Sequence, residues 1–250
     1  MTMTYERSEV GGESDGNNLI RALNAADRRR IEDLLEPWEG RAGSILYEPG
    51  DIVSYAYFPR EKALASFRVM LADGRAAETG LIGREGAIGG IVSEGHLPAF
   101  ARAIVLFPGP FYRIALKDLT RLKRTSHSLN NLFARYSDCL LAQIFQATAC
   151  NATHSIEQRT AKWALAAIDR TGDHEISLTQ EQLAGLLGVG RSYVSRIIQR
   201  LKADNIVKTR RGKLFISDGE ALARISCDCN QLVRRHFAEV LRGVYPNGDA

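Results

Sequence analysis

The spacing of hydrophobic positions changes twice along the chain and divides it into three parts. Residues 19–36 have apolar positions at helical spacing and are followed by Pro37, so this part predicts one short amphipathic helix. Between residues 41 and 116, short apolar or alternating runs are separated by Gly- and Pro-containing turns, which is typical of a β-sandwich or barrel. The predicted strands lie at 44–47, 52–58, 64–70, 79–82 and 102–107.

The third part, from residue 116 onwards, has helical spacing. Residues 129–151 contain neither Gly nor Pro and predict one long helix, and a second helix follows at 155–170 with Ser155 as its N-cap. The apolar stripe of the first helix is close to a heptad seam, which suits either core packing or pairing with the same helix of a second chain. The residues expected at such a dimer contact are Leu129, Leu132, Phe133, Tyr136, Leu140, Gln143, Ile144 and Ala147.

Residues 178–201 predict two helices joined by a tight turn. Thr179 and Gln182 have the spacing of a capping box, and Gly188 can adopt the positive φ that ends a helix. At about 100° per residue, the helix that follows has one polar face and one apolar face. The polar face carries Ser192, Ser195, Arg196 and Gln199, and the apolar face carries Val194, Ile197, Ile198 and Leu201. A polar face opposite a packed face is what a helix lying in the major groove requires.

Residues 206–216 follow directly and predict a β-hairpin with a basic tip, which is the wing of a winged helix. Residues 178–216 contain eight Lys or Arg and two acidic residues, a surplus of six positive charges, whereas the whole chain carries only +4. Such a local basic patch is typical of proteins that bind nucleic acid. The residues predicted to contact duplex DNA are Thr179, Gln180, Gly190, Arg191, Ser192, Ser195, Arg196, Gln199, Arg200, Lys208, Arg210, Arg211 and Lys213.

These residues closely resemble the DNA-binding half of the bacterial Crp–Fnr regulator family, which has this spacing and the same Arg-x-x-x-x-Arg, here Arg191 and Arg196. The β-rich part, the long helix and the chain length also fit, so the resemblance covers nearly the whole chain. It implies an α+β fold with an N-terminal cyclic-nucleotide-binding-like β-roll, a long dimerisation helix and a C-terminal winged helix-turn-helix. It also implies a homodimer on an inverted-repeat site and contact with RNA polymerase. Arg191 and Arg196 would be the two principal DNA-contacting arginines, and Arg196 is given more weight because it lies nearer the centre of the polar face.

The resemblance and the pattern together suggest four segments. Residues 1–17 are expected to be a disordered tail, 18–127 a sensor domain, 128–152 the dimerisation helix, and 153–250 the winged helix with a helical extension. The first residues lack the basic-then-apolar order of a secretory signal, and no apolar run is long enough for a membrane span. We therefore expect a cytoplasmic protein without a membrane partner.

The segment that would bind a cyclic nucleotide departs from the family pattern. Members that bind cyclic AMP use a Gly-Glu pair for the ribose and an Arg-Ser pair for the cyclic phosphate. Aligned on Arg102, this chain has Arg84 at the ribose acid and Leu97 and Pro98 at the phosphate pair. The phosphate would have neither a cation nor a hydroxyl donor. A register shift of one restores Glu85 but not the phosphate pair, so we expect no cyclic-AMP cofactor and leave the effector unidentified.

Two further departures concern the recognition helix and the cysteines. Ser192 stands where the family often has a Glu that accepts from cytosine, so the preferred half-site need not be the usual one. No cysteine precedes Cys139, which excludes the N-terminal iron–sulfur ligands of redox-sensing members.

Cys139 and Cys150 lie on one helix too far apart to bridge within a chain, which leaves disulfides between dimer mates as a hypothesis. Cys227 and Cys229 with His236 are a weaker pattern than known zinc sites. A structural role is favoured for them, and no metal site is predicted.

Other function classes fit the sequence less well. A cupin-like enzyme needs a cluster of His and carboxylate ligands, but residues 41–116 contain a single histidine, His96, and no cysteine. The one Gly-x-Ser-x-Gly match, at residues 12–16, lies in the expected disordered tail and not between a predicted strand and helix, so it lacks the context of a nucleophile elbow. We therefore predict no catalytic residues and no enzyme. The remaining alternative is a scaffold whose winged helix contacts protein, which the basic wing and the polar helix face argue against.

Overall fold

The computed structural model of the protein describes residues 16–72, 76–95 and 98–246. The helices are α1 (Asn18–Arg21), α2 (Ala25–Glu32), α3 (Leu116–Thr125), α4 (His127–Thr153), α5 (Ile156–Thr171), α6 (Gln180–Leu187), α7 (Arg191–Ala203), α8 (Gly219–Ile225) and α9 (Cys229–Val240). The strands are β1 (Glu36–Gly40), β2 (Ile45–Tyr47), β3 (Tyr55–Pro59), β4 (Leu64–Met70), β5 (Ala76–Ile82), β6 (Arg102–Phe107), β7 (Gly109–Ala115), β8 (Glu175–Ile176), β9 (Val207–Arg210) and β10 (Lys213–Ile216). None of the described helices is both long and apolar enough to cross a membrane.

The N-terminal part differs from the predicted single helix over 19–36. It forms two short helices, because the side chains of Asn17 and Asn24 each accept from backbone amides and start a new helix. Pro37 lies within β1 and not in a loop after the helix. The chain therefore turns twice here, where the apolar spacing alone suggested one continuous helix.

The predicted disordered tail also needs a correction at its end. Residues 1–15 of that tail lie outside the described residues. Asn17 is buried, and its side-chain amide donates to the carbonyl oxygens of Pro59 (3.0 Å) and Gly86 (2.8 Å). This position therefore belongs to the core of the β-rich domain.

The β-rich domain consists of two antiparallel sheets with the strand orders β1-β7-β3 and β2-β6-β4-β5. All five predicted strands are present, and β1 and β7 are additional. Sequence reasoning missed β7 because it begins with Gly109 and Pro110, which suggested only a turn. In the structure, Phe111 of β7 is fully buried and packs edge-on against Trp38 of β1, with ring centroids 5.4 Å apart. The two additional strands, β1 and β7, thus cover part of the core of the β-rich domain.

Helix α4 confirms the long helix, but its predicted dimer stripe faces mostly inward. Leu129, Phe133 and Tyr136 are buried in the core of their own chain, and Gln143 donates to the carbonyl oxygen of Leu81 (3.0 Å). These four residues are therefore unavailable to a partner. A heptad-like seam marks a buried face without saying whether the burial is within a chain or between chains. The other predicted positions are half-buried on the flanks of this face: Leu132, Leu140, Ile144 and Ala147.

The exposed apolar residues of α4 lie on the opposite face. The side chain of Phe145 is 64% exposed, and that of Leu141 is 47% exposed. At about 100° per residue these two positions are neighbours, one turn apart on the same side of the helix. Sequence reasoning missed Leu141 and Phe145, because it took the longest apolar stripe of the helix as the contact face.

A buried ion pair joins the β-rich domain to the C-terminal half. The guanidinium of Arg170, on α5, donates to the carboxylate of Glu85 at 2.8 Å, and both side chains are only 2% exposed. Arg170 also donates to the Oε1 atom of Gln143 (2.9 Å) and to the hydroxyl of Tyr245 (2.8 Å). Burial by itself lowers the pKa of Arg170, but the charge of Glu85 and its other partners raises the pKa above the ordinary value.

The turn that carries Glu85 is tight because two glycines pack directly against helices. A Cβ atom at Gly83 would lie 2.8 Å from the Cβ of Arg170, and one at Gly86 would overlap the hydroxyl of Tyr136. Gly83 also donates its backbone amide to the Glu85 carboxylate at 3.1 Å. The turn is thereby fixed against α4 and α5 at the same time.

All four cysteines are buried and free. Burial raises the pKa of the Cys139 thiol to about 12, as expected for a sulfur in an apolar core. Because the thiols of Cys139 and Cys150 both lie inside their own chain, neither can reach a dimer mate. The hypothesis of disulfides between mates is therefore wrong.

Candidate nucleic-acid interface

Helices α6 and α7 form the predicted helix-turn-helix. The hydroxyl of Thr179 accepts from the amide of Gln182 (3.1 Å), and the side chain of Gln182 accepts from the amide of Thr179 (2.9 Å), which completes the capping box. Gly188 ends α6 in the left-handed conformation with φ of 69°. Gly190 then occupies the N-cap of α7 in an extended conformation. The local sequence therefore determines both the start of α6 and the turn into α7.

Helix α7 has the two faces that its sequence predicts. Val194, Ile197, Ile198 and Leu201 are buried against the rest of the domain. Ser192, Arg196 and Gln199 are exposed, and Ser195 is half-buried. The polar side of the helix thus faces outward along its length, as reading base edges requires. The contacts of these residues to DNA stay predictions.

Tyr193 is a surface residue of α7 that sequence reasoning did not include. Its side chain is 52% exposed, and the guanidinium of Arg196 stacks over its ring at 4.8 Å from the centroid. This stacking restrains the long arginine side chain before any ligand arrives. The signal in the sequence was an aromatic residue three positions before an arginine on one helix.

The two arginines at the flanks of α7 are engaged in exposed ion pairs. Arg191 lies 3.6 Å from Glu181 of α6, and Arg200 lies 3.2 Å from Glu157 of α5. Exposed pairs of this kind contribute only about 0–1 kcal/mol, so a phosphate can replace the carboxylate. Arg200 is directed towards α5 and away from the polar face, whereas Arg191 stands beside it.

The wing consists of β9 and β10, and β10 also pairs with β8, which completes a three-stranded sheet. Gly212, with φ of 77°, forms the hairpin tip beside Arg211. Lys213 forms an ion pair with Glu175 of β8. Lys208 and Arg210 are exposed on β9. All the basic residues predicted for the wing therefore lie on its surface.

An open groove of about 570 Å³ separates the wing from the start of α6 and α7. Predicted DNA-contacting residues from three elements line it: Thr179, Gln180, Arg191, Arg210, Arg211 and Lys213. The fold therefore brings residues more than 30 positions apart to one basic groove beside the polar face of α7. A basic groove on the protein surface suits a DNA phosphate backbone that lies beside the major groove that α7 would read.

A second cavity, of about 420 Å³, lies between the β-rich domain and α4, and we call it the apolar cavity. Its walls include Phe67, Val69, Leu116 and Ile144, and the described residues that line it include none with a charge. The size is in the range of small-molecule sites. A phosphate group would find no cation among these side chains.

The acid that a register shift of one would place at the ribose position already has hydrogen-bond partners. Glu85 accepts from Arg170 and from the amide of Gly83 in the buried pair described above. Arg84, which the sequence alignment placed at the ribose acid, has its Nε atom buried without a hydrogen bond to any described residue. Leu97, at the phosphate position, lies outside the described residues.

Comparison with known proteins agrees with this geometry. Residues 158–225 match the sequence model of the Crp-like helix-turn-helix domain, and no curated protein matches the chain in sequence. The fold is similar to a putative transcriptional regulator of the Crp/Fnr family from Eubacterium rectale, at 17% identity and a TM-score of 0.65 over 83% of this chain and 96% of that one. It is also similar to FixK2 from Bradyrhizobium japonicum, at 14% identity and a TM-score of 0.65 over 77% and 98% of the two chains.

A third similar structure is the c-di-GMP-responsive global regulator CLP of Xanthomonas campestris, at 16% identity and a TM-score of 0.60 over 77% of this chain and 99% of that one. A Crp-like helix-turn-helix domain therefore occupies residues 158–225, and the chain shares the fold of these three solved structures. The resemblance carried by residues 178–216 is thus confirmed, and so is the mixed helix-and-sheet fold. The Crp-like domain match begins in α5 and ends at the last residue of α8, so it contains the whole groove and the polar face of α7.

The geometry predicts different effects for the helix and the wing. Arg196→Ala should weaken binding to a preferred site by about 1–3 kcal/mol and relax the choice of base there, because Arg196 faces the base edges. Lys213→Ala should weaken all sequences alike and lower the salt slope by about 1, since it removes a phosphate contact and leaves Glu175 uncompensated. Fluorescence anisotropy with several duplexes at increasing salt measures both.

Lys117→Ala is the control, because it removes one exposed positive charge from α3, outside the Crp-like domain. It should leave the affinity and the salt slope unchanged. The assignment of α7 as the reading helix is contradicted if Arg196→Ala leaves both the affinity and the sequence preference as they were.

Proposed function

We propose that this protein is a Crp/Fnr-type regulator that acts in the cytoplasm as a homodimer, binds an inverted-repeat DNA site and controls transcription there. The observation that carries the proposal is the combination of one reading helix per chain with an exposed apolar pair on α4. A single α7 recognises only a short half-site. A two-fold dimer presents two such helices, and its symmetry requires an inverted repeat.

The proposed dimer contact is the face of α4 that carries Leu141 and Phe145. These residues lie on a helix of 27 residues, about 40 Å long by its rise per residue. Exposed large apolar side chains on a long helix are typical of a contact that is covered in the assembly. Parallel pairing of two such helices puts their C-terminal ends side by side, and α5 leads from there to α6 and α7 in each chain. The two reading helices would then lie on the same side of the dimer.

The proposed reading face is Ser192, Ser195, Arg196 and Gln199, with Tyr193 restraining the arginine. Arg196 is suited to a guanine, to which it can donate two hydrogen bonds. Ser192 in place of an acid leaves the neighbouring base pair less strictly specified. The wing and the basic groove would hold the phosphate backbone on either side, and the dimer would contact RNA polymerase when bound at a promoter.

We further propose that regulation does not use cyclic AMP bound in the manner of the family. Support comes from the apolar lining of the cavity and from Glu85, whose carboxylate is committed to Arg170. Binding there would require burying a phosphate without a cation and breaking a buried ion pair, and both are costly. The protein is proposed to act by binding alone, without an enzymatic step.

The dimer proposal is tested by selection from random duplexes. The full-length protein should select inverted repeats with half-site centres about 10 base pairs apart. Phe145→Asp should be monomeric by sedimentation equilibrium, since a carboxylate cannot be buried between the two helices. Its affinity for the full repeat should fall by about 100-fold or more, because the two α7 helices are no longer linked in one dimer.

Leu232→Asp is the matched control, because Leu232 is an exposed leucine, 40% accessible, on α9. It should stay dimeric and bind the repeat normally. Selection of single half-sites by a monomeric wild-type protein would overturn the dimer proposal.

The cyclic-AMP proposal has its own test. Saturating a site at 100 times its Kd stabilises the folded state by about 2.7 kcal/mol, which a thermal unfolding curve detects easily. We expect millimolar cyclic AMP to change neither the Tm nor the DNA affinity, with 5′-AMP as the control for ionic effects. A saturable rise in Tm specific to cyclic AMP would contradict the proposal.

A further inference from the structure

Four side chains with metal-binding atoms meet where α4 ends. Cys150 lies in the last turn of α4, and His154 is the residue that caps it. Cys227 lies between α8 and α9, and Cys229 begins α9. Their four ligand atoms all lie within 4.8 Å of one another. Two segments about 75 residues apart in the chain therefore meet at this cluster of sulfur and nitrogen atoms.

Two distances in the cluster match those between ligands of one tetrahedral ion. The Sγ atoms of Cys150 and Cys227 are 3.7 Å apart, and the Sγ of Cys229 is 3.5 Å from Nδ1 of His154. Tetrahedral zinc, with Zn–S bonds of about 2.3 Å and Zn–N bonds of about 2.0 Å, separates two sulfurs by about 3.8 Å and a sulfur from a nitrogen by about 3.5 Å. A disulfide would instead bring two sulfurs to about 2.05 Å.

The surroundings are also those of an enclosed structural site. The three cysteines are buried and form a cluster of their own, apart from the three apolar cores. The Nε2 atom of Gln146 donates to the Sγ of Cys229 at 3.1 Å, which orients that ligand. Lys162 lies close enough for its charge to act on Cys150. This charge would offset the net negative charge of three thiolates around a divalent ion.

We propose that Cys150, His154, Cys227 and Cys229 bind one Zn²⁺ ion in a tetrahedral Cys₃His site. Three soft sulfur ligands and one imidazole select zinc over magnesium or calcium, which prefer oxygen. An iron–sulfur cube is too large, because its four ligands bind four different corners and cannot all lie within 4.8 Å of one another. The sequence suggested His236 as a partner of Cys227 and Cys229. The fold instead places Cys150 and His154 beside these two cysteines.

The proposed ion would clamp the C-terminal extension onto the end of the long helix. The clamp lies where α4 passes into α5, at the start of the segment that leads to α6 and α7. In structural zinc sites, metal binding supplies folding free energy directly. The ion would therefore hold α9 against α4 and fix the direction in which α5 leaves. This proposal is independent of DNA binding.

The test measures the metal content of the full-length protein, purified without added metal under reducing conditions. Inductively coupled plasma mass spectrometry should find about one zinc ion per chain. Cys150→Ser and Cys229→Ser should reduce the zinc to near zero. Cys139→Ser is the matched control and should keep the ion, because Cys139 is also buried but lies in a different cluster, the core of the β-rich domain.

A conservative exchange separates ligation from a general effect on folding. His154→Cys should retain zinc in a Cys₄ site, whereas His154→Ala should release it at a much lower chelator concentration. Replacing zinc by Co²⁺ in the wild type should give the intense visible bands of tetrahedral cobalt and a thiolate-to-cobalt charge-transfer band. This measurement uses only the wild-type protein, so it does not depend on whether any variant folds.

Three results would overturn the proposal. One is a folded wild-type protein that contains no zinc and gives an octahedral cobalt spectrum. Another is iron with inorganic sulfide in anaerobically purified protein. The third is a Cys150–Cys227 disulfide found by peptide mapping of the native protein.

Discussion

The buried pair of Glu85 and Arg170 is the contact on which the relative position of the two halves depends. Both charged groups are removed from water, so each is tolerable only while the other is present. The remaining donors of Arg170 reach Gln143 on α4 and Tyr245 near the C-terminus. One side chain of α5 therefore holds the β-rich domain, the long helix and the C-terminal extension together. Because α5 is followed through β8 by α6 and α7, the same pair also restrains the position of α7.

This pair also has a consequence for the sensor domain. The turn that carries Glu85 is directed at α5, and its glycines pack against Tyr136 and Arg170. The cavity between the roll and α4 is lined by apolar side chains, and the ion pair lies outside it. The long helix packs on the β-rich domain through Phe133 and Tyr136, borders the cavity through Ile144 on the flank of the same face, and exposes Phe145 on the opposite face.

Local sequence signals predicted the C-terminal half well and the rest unevenly. The capping box at Thr179, the turn at Gly188 and the two faces of α7 depend on neighbouring residues, so their spacing is sufficient evidence. Part of the stripe predicted for the dimer contact of α4 is buried within its own chain, since periodicity cannot distinguish burial in one chain from burial between two. The links of Arg170 to Glu85 and of Cys150 to Cys227 join residues 85 and 77 positions apart, and no local pattern records them. Strand β7 was missed because Gly109 and Pro110 usually mark a turn.

A double-mutant cycle on the buried pair tests the central claim most directly. Unfolding by urea would be measured for the wild type, Glu85→Gln, Arg170→Met and the double variant. We expect each single variant to lose about 3–5 kcal/mol of unfolding free energy, because each leaves a buried charge without its partner. The double variant should lose much less than the sum of the two. If the single variants are near wild type in stability, or if their losses simply add, the pair does not hold the two halves together.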